Sequence, residues 1–267
     1  MKKYGGVLIH ENHDDDGILE IIEEGDVRSL HFGSSSRQSS MLLSDPHFLQ
    51  LSYIRAMVTA LVFNNTPKRI LNIGLGGGSL SKFLMRYLPE IHITAVEYRK
   101  SVARIAISYF GLCRDPRLKI FIGDGGRFVV DAVQKQVPKY DMIYVDAYDH
   151  DGMSIRIDPA VFYAACKQLL TINGIIAINV WGSNRQVLNK ASECINLSFN
   201  HRVLYLPVKG RGNVIAFAFA NDFPSVSMQQ LQACSELLGA KFSVEYPKFL
   251  KDLKRHNRKT FKQFITK

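Results

Sequence analysis

The first 45 residues are punctuated by short apolar runs. Residues 7–9, 18–22 and 27–32 are rich in β-branched and aliphatic side chains, and the acidic, glycine-bearing segments 14–17 and 24–26 separate them. This pattern predicts a small antiparallel sheet. Ser44, Asp45 and Pro46 then supply a cap and a first-turn proline. Phe48, Leu49, Leu51, Ile54, Met57, Val58 and Leu61 follow at spacings that suit a buried helix. From Lys68 onward strand and helix patterns alternate. Strands are predicted over residues 69–74, 92–97, 118–122, 142–145 and 174–180, and helices over 80–88, 102–110 and 159–170. Alternation of this kind predicts an α/β fold built on a doubly wound, mostly parallel sheet. We divide the chain into a small N-terminal β domain (1–44), a main α/β domain (45–240) and a basic C-terminal helix or tail (241–267).

Composition narrows the class. The 267 residues are 46% hydrophobic, 22% charged and 10% aromatic, which excludes a disordered chain, a collagen-like repeat and a disulfide scaffold. Cys113, Cys166, Cys194 and Cys234 lie far apart and read as reduced, packed thiols. The histidines lack ligand spacing, so no metal is expected. The longest apolar runs, 56–63 and 174–180, are too short to span a membrane, and the first residues carry no secretory pattern. A cytoplasmic protein with no membrane partner is expected.

The net charge of +10 is uneven, because residues 241–267 hold nine Lys/Arg against Glu245 and Asp252. In that segment Phe249, Leu250, Leu253, Phe261, Phe264 and Ile265 interleave with Lys251, Lys254, Arg255, Arg258 and Lys262. One reading is an amphipathic helix with its apolar side docked and its basic side solvated. The other is a basic surface for nucleic acid or an acidic partner.

The chemistry begins at residues 72–78, Asn-Ile-Gly-Leu-Gly-Gly-Gly, where a strand turns into a helix. Gly74, Gly76 and Gly77 let the backbone approach a ligand, and the helix N-terminus offers unpaired N–H groups. A glycine turn alone has a plain structural reading as a tight connection. Glu97 changes that reading: it ends the next strand 23 residues after Gly74, where a carboxylate can accept bonds from a ribose diol. Asp124, followed by Gly125, closes the third strand and is placed to pair with an exocyclic amine. The three together describe a nucleoside site across neighbouring strand ends. The loop lacks the G-x-G-x-x-G register of dinucleotide sites and has no phosphate-loop Gly-Lys-Ser/Thr, so an S-adenosyl sulfonium fits best.

Four stretches carry a family resemblance: 73–78, 95–97, the Asp-Pro-Arg-Leu of 115–118 with the Gly-Asp-Gly of 123–125, and 140–149. In these the chain resembles the spermidine synthase family of polyamine aminopropyltransferases, which has a methyltransferase-type Rossmann fold and a small N-terminal β domain. Gln38 and Tyr53 also match that pattern loosely. The resemblance implies that Glu97 holds the ribose and that Asp124 and Gly125 contact adenine. Gln38, Gly74, Gly76 and Gly77 would complete the donor site. Asp146 and Asp149 match the family's D-x-x-D pair, the first helping to deprotonate the attacking amine and the second binding it, with Tyr53 and Tyr148 beside them. The physical logic is that an ammonium has no lone pair and must lose a proton before attacking carbon. A homodimer is likewise implied.

Three departures stand out. The family's glycine loop carries an aspartate that grips the aminopropyl amine, and Gly77 stands there. Leu206-Pro207-Val208-Lys209-Gly210-Arg211-Gly212 replaces a segment holding an acceptor-site tyrosine. Ile54-Arg55 replaces a polar pair after Tyr53. The leading expectation is therefore a transferase moving an aminopropyl group from decarboxylated S-adenosylmethionine to an amine such as putrescine. One alternative is an S-adenosylmethionine-dependent methyltransferase, for which Lys209 or Arg211 would suit an anionic substrate. The other is a catalytically degenerate protein that binds a nucleoside, or binds nucleic acid through its basic end.

Overall fold

The computed structural model describes residues 1–147, 156–182, 185–210, 212–221 and 226–266, with side chains to Lys262. The N-terminal sheet is antiparallel and runs in chain order through β1 (Lys2–Lys3), β2 (Gly6–Asp14), β3 (Gly17–Glu24), β4 (Val27–His31) and β5 (Arg37–Leu42). Its inner face buries Leu19, Ile21, Leu30 and Met41 against Val102, Ile105 and Phe110 of the main domain. An ion pair at the β2–β3 turn adds to this docking. The Arg99 Nε donates to Asp14 Oδ2 at 3.1 Å, its Nη2 reaches Gly17 O at 2.8 Å, and its guanidinium lies 4.7 Å from the Phe32 ring centre.

The second sheet has seven strands. After helix α1 (Ser52–Met57) and a 3-10 turn (Val58–Val62) come β6 (Arg69–Ile73), α2 (Ser79–Tyr87), β7 (His92–Glu97), α3 (Lys100–Tyr109), β8 (Leu118–Ile122), α4 (Gly125–Gln134), β9 (Tyr140–Val145), α5 (Pro159–Leu169) and β10 (Leu170–Trp181). Helix α6 (Arg185–Ser198), β11 (Val203–Pro207), β12 (Asn213–Phe219), α7 (Met228–Phe242), α8 (Tyr246–His256) and α9 (Arg258–Phe264) complete it. The spatial order is β11-β12-β10-β9-β6-β7-β8, with β10, β9, β6, β7 and β8 parallel and β12 antiparallel to both its neighbours. The expected α/β architecture is present. Strands buried on both faces read as continuous apolar runs. In β6, Ile70 faces a core with Met142, Tyr144, Phe217 and Leu250, while Leu71 faces a second core with Ile143, Phe162 and Ile178.

Chain order reverses between β6 and β9, and ligands in such sheets bind in the crevice outside the strand ends at that point. Gly74 and Asp146 sit there.

Three local expectations are corrected. The helix drawn from Pro46 begins only at Ser52. Asp45 Oδ1 instead accepts the His47 N–H at 3.2 Å and closes a turn. The Arg55 guanidinium then takes up the carbonyls of Leu49 (2.7 Å) and Gln50 (3.1 Å), which a helix would have used. Of the four cysteines only Cys166 is fully buried, Cys113 is exposed, and none of them is paired. The terminal basic segment folds as two helices that meet at Asn257, whose side chain bridges the N–H and C=O of Tyr205 on the edge strand. Helix α8 buries Tyr246, Phe249, Leu250 and Leu253 and leaves Lys248, Lys251, Lys254 and Arg255 exposed.

Candidate active site

The glycine loop is held from three sides. Gly74 has φ +92°, and any side chain there would drive into the carbonyl oxygen of Asp146. Its N–H donates to Val96 O at 2.9 Å, so the loop leaves β6 hard against β7. Gly76 has φ +53° and passes beside Gln38 and Ser39 of β5. Gly77 donates its N–H to Ser39 Oγ at 3.0 Å. A Cβ at Gly77 would lie 2.6 Å from that oxygen and 2.9 Å from the Phe110 ring, so the position admits glycine alone. The space where the family places an acid is filled by Ser39 and Phe110.

Glu97 lies against this loop. Its Oε2 accepts from Leu75 N at 3.0 Å and Gly76 N at 3.3 Å, and its Oε1 accepts from Arg99 N at 3.0 Å. Burial raises its proton affinity above the usual carboxylate range, and the three backbone N–H groups oppose that rise. A carboxylate has about four lone-pair positions. A ribose hydroxyl can therefore use the one left, or displace the long Gly76 bond.

Asp124 caps α4, its Oδ1 accepting from Arg127 N at 2.7 Å. Its Oδ2 is buried and has no hydrogen-bond partner among the described residues, the arrangement an exocyclic amine would complete. Gly125 follows with its Cα against Ile73, and a Cβ there would come within 2.5 Å of Ile73 Cγ2. Tyr98, the residue after Glu97, joins Asp124, Arg127, Val130, Arg156 and Ile157 around a cleft of about 360 Å³. Arg156 lies 4.4 Å from the Tyr98 ring centre and 3.8 Å from Asp16 of the N-terminal sheet, closing the cleft's outer wall. These residues fit an adenosine moiety.

Asp146 follows β9 directly and is half-buried. Its Oδ2 accepts from the Tyr53 hydroxyl at 3.0 Å and its Oδ1 from Asn179 Nδ2 at 2.9 Å. Asn179 Oδ1 in turn accepts from Asn213 Nδ2 at 3.0 Å. Burial raises the Asp146 proton affinity, and the Asn179 and Tyr53 donors partly offset it. A half-buried carboxylate of raised proton affinity at the switch point is equipped to take up a proton.

The structure thus brings Gln38, Tyr53, Gly74, Gly76, Gly77, Glu97 and Asp146 around one loop, with Asp124 and Gly125 where α4 begins after β8. Tyr148, Asp149 and Arg211 lie outside the described residues. Sequence reasoning missed Ser39, Asn179 and Asn213. For Asn179 a signal existed, since an amide inside the apolar run 174–180 has to be explained by a partner. Ser39 carries no such mark. Among the described residues no group of three or more His, Cys, Asp and Glu could hold a metal ion. No described helix is long and apolar enough to cross a membrane.

Sheet order and the glycine turn after β6 together define a methyltransferase-type Rossmann fold, with Glu97, Asp124 and Asp146 at or just after its strand ends. A family model described as spermine/spermidine synthase domain matches residues 51–228. The polyamine aminopropyltransferase of Chromobacterium violaceum is 35% identical over 243 residues, 91% of each chain. A probable spermidine synthase from Corynebacterium glutamicum has a similar structure, with TM-score 0.68, 19% identity, and coverage of 93% of this chain and 94% of that one. Human methyltransferase-like protein 13 in complex with SAH aligns with TM-score 0.65 and 24% identity over 72% of this chain and 93% of that one. The chain belongs to the spermine/spermidine synthase family and is a transferase of that family.

Proposed function

We propose that this enzyme transfers the aminopropyl group of decarboxylated S-adenosylmethionine to a small amine such as putrescine, with Asp146 as the base. The observation that carries this reading is the placement of Asp146. Half-buried, it sits at the switch point beside Gly74, with the Tyr53 hydroxyl on one oxygen. The acceptor ammonium gives a proton to Asp146, and the freed lone pair attacks the propyl carbon bonded to sulfur. The new C–N bond forms as the C–S bond breaks, and methylthioadenosine leaves as a neutral thioether.

In this reading Glu97 binds the ribose, Asp124 and Gly125 the adenine, and Gln38 with Gly74, Gly76 and Gly77 the rest of the donor. Tyr53, Tyr148 and Asp149 bind the acceptor. Residues 1–44, 45–240 and 241–267 act as an N-terminal β domain, a catalytic domain and a basic end. The protein works as a cytoplasmic homodimer, which sedimentation velocity checks. Incubation with decarboxylated S-adenosylmethionine and a panel of amines tests the reaction. Release of methylthioadenosine with any of them supports it, and no release with all of them rejects it.

One observation favours a second reading, methyl transfer from S-adenosylmethionine. No acid fits at Gly77, so nothing at that position repels the donor's carboxylate. Calorimetry with both donors separates the two, since preference for the decarboxylated form removes the methyltransferase reading. The exposed cations of α8 support a further role in binding nucleic acid. Deleting residues 248–267 tests it, because salt-sensitive binding that survives the deletion excludes that surface.

A further inference from the structure

Asn213 belongs to β12, two strands away from Asp146, yet the two are linked by a chain of hydrogen bonds. Strand register explains how. Ile178 pairs with Val145, so Asn179 on β10 and Asp146 at the end of β9 come side by side. On the other flank Asn179 pairs with Ile215 and Trp181 with Asn213. Side chains alternate along a strand, so Asn213 lies on the same face as Asn179, one step nearer the strand ends. Both amides are buried, at 4% and 6% exposure, and both adjoin apolar runs, 174–178 on β10 and 214–219 on β12.

The amide geometry has only one consistent orientation. An ionised carboxylate only accepts hydrogen bonds, so Asn179 must present its NH2 group to Asp146. Turned by 180°, it would place a carbonyl oxygen against carboxylate oxygen and favour the protonated acid. With Asn213 Nδ2 on Asn179 Oδ1, turning Asn179 alone would set two NH2 groups against each other, so the contact opposes that turn.

We infer that Asn213 is a positioning residue for the reaction: it locks the Asn179 amide with its donor toward Asp146 and so keeps the base ionised and correctly aimed. This inference rests on Asp146 being the base. Asn213 acts wholly through Asn179.

The test compares wild type, Asn179→Leu, Asn213→Leu and the double variant, leucine being a near-isostere without donor or charge. Two readouts are taken. One is the titration of the Asp146 carboxyl by carbon-13 NMR without substrate, assigned by the signal lost in Asp146→Asn. The other is the acid limb of the kcat/KM profile. Losing one carboxylate hydrogen bond in Asn179→Leu should move the midpoint up by about one unit. Asn213→Leu should move it in the same direction by less, and the double variant should match Asn179→Leu, since a relay is non-additive. The acid limb should follow, with kcat falling more than the amine KM rises.

An unmoved midpoint in Asn213→Leu, or shifts that add in the double variant, overturns the relay. If Asn213→Leu does not fold, Asn213→Ala, which only deletes atoms, takes its place under the same criteria. Should wild type release no methylthioadenosine, the proposed reaction falls, while the carboxyl titration still decides the relay.

Discussion

Ser39 Oγ accepts the Gly77 N–H at 3.0 Å, so a strand of the N-terminal sheet holds the glycine loop of the other sheet. The contact ties the geometry of the proposed donor loop to the docking of the two sheets. It also explains why glycine stands where the family has an acid.

Restoring that acid is therefore expected to fail. In Gly77→Asp the new Cβ meets Ser39 and Phe110, and overpacking of this kind costs about 1–3 kcal/mol. The variant should melt at a lower temperature and lose affinity for methylthioadenosine in calorimetry. Adding Ser39→Gly should recover part of both losses. A Gly77→Asp protein with wild-type Tm contradicts this packing account.

Removing the proposed base separates chemistry from stability. Asp146→Asn should lower kcat by roughly 10²–10⁴ with donor affinity unchanged. Burial raises the folded-state proton affinity of Asp146 above its unfolded value. The folded state therefore holds the proton more tightly, and the stability this gives is fully present at low pH. It is lost as pH rises from the unfolded value near 3.8 through the raised folded value. At neutral pH Asp146→Asn should accordingly be more stable than wild type in urea unfolding. A less stable variant would show that the charged carboxylate is fully compensated by Tyr53 and Asn179.

Much of this was legible in the residues, and the misses share a cause. The β–α alternation, the glycine turn, Glu97 and Asp124 are local patterns, and each lies on the element expected of it. Local chemistry misled at Pro46, where cap and proline were right for a helix but Arg55 takes the carbonyls that a helix would use. The antiparallel return of β12 beside β10 went unread, since short apolar runs near the end carry no direction. Ser39–Gly77 and Asp146–Asn179–Asn213 join residues 38, 33 and 34 positions apart. Only the folded sheet brings them together.

Lys82 gives a pH signature of its own. Its ammonium is buried in α2, 4% exposed, and donates to the Phe110 carbonyl with Met41 Sδ at 3.1 Å. Burial pulls its pKa down from 10.5 to about 8. Between those values the unfolded chain holds the proton more tightly, so the stability of wild type should rise with pH across that window. The rise is at most about 3 kcal/mol, from 1.36 kcal/mol per unit. Lys82→Met should lack it. Its unpaired Phe110 carbonyl is a constant cost, so the difference in slope between the two proteins isolates the ammonium. Parallel urea stabilities at pH 7.5 and 10 would refute the shift.

Glu97 should prove indispensable in a way that charge alone does not explain. Both of its oxygens accept backbone N–H groups: Oε2 those of Leu75 and Gly76, Oε1 that of Arg99. Glu97→Gln keeps the shape but turns one acceptor into an NH2 group. Whichever way the amide is placed, a donor then faces a donor, and a buried N–H loses its partner at about 1–3 kcal/mol. If the amide nitrogen takes the Oε2 position, the glycine loop is released, and if it takes the Oε1 position, the start of α3 is. In the first case donor affinity falls together with Tm, while in the second Tm falls with affinity largely kept. Glu97→Ala frees both sides and should lower methylthioadenosine affinity at least tenfold in calorimetry. An alanine variant that binds methylthioadenosine as wild type does would mean that the ribose is held elsewhere.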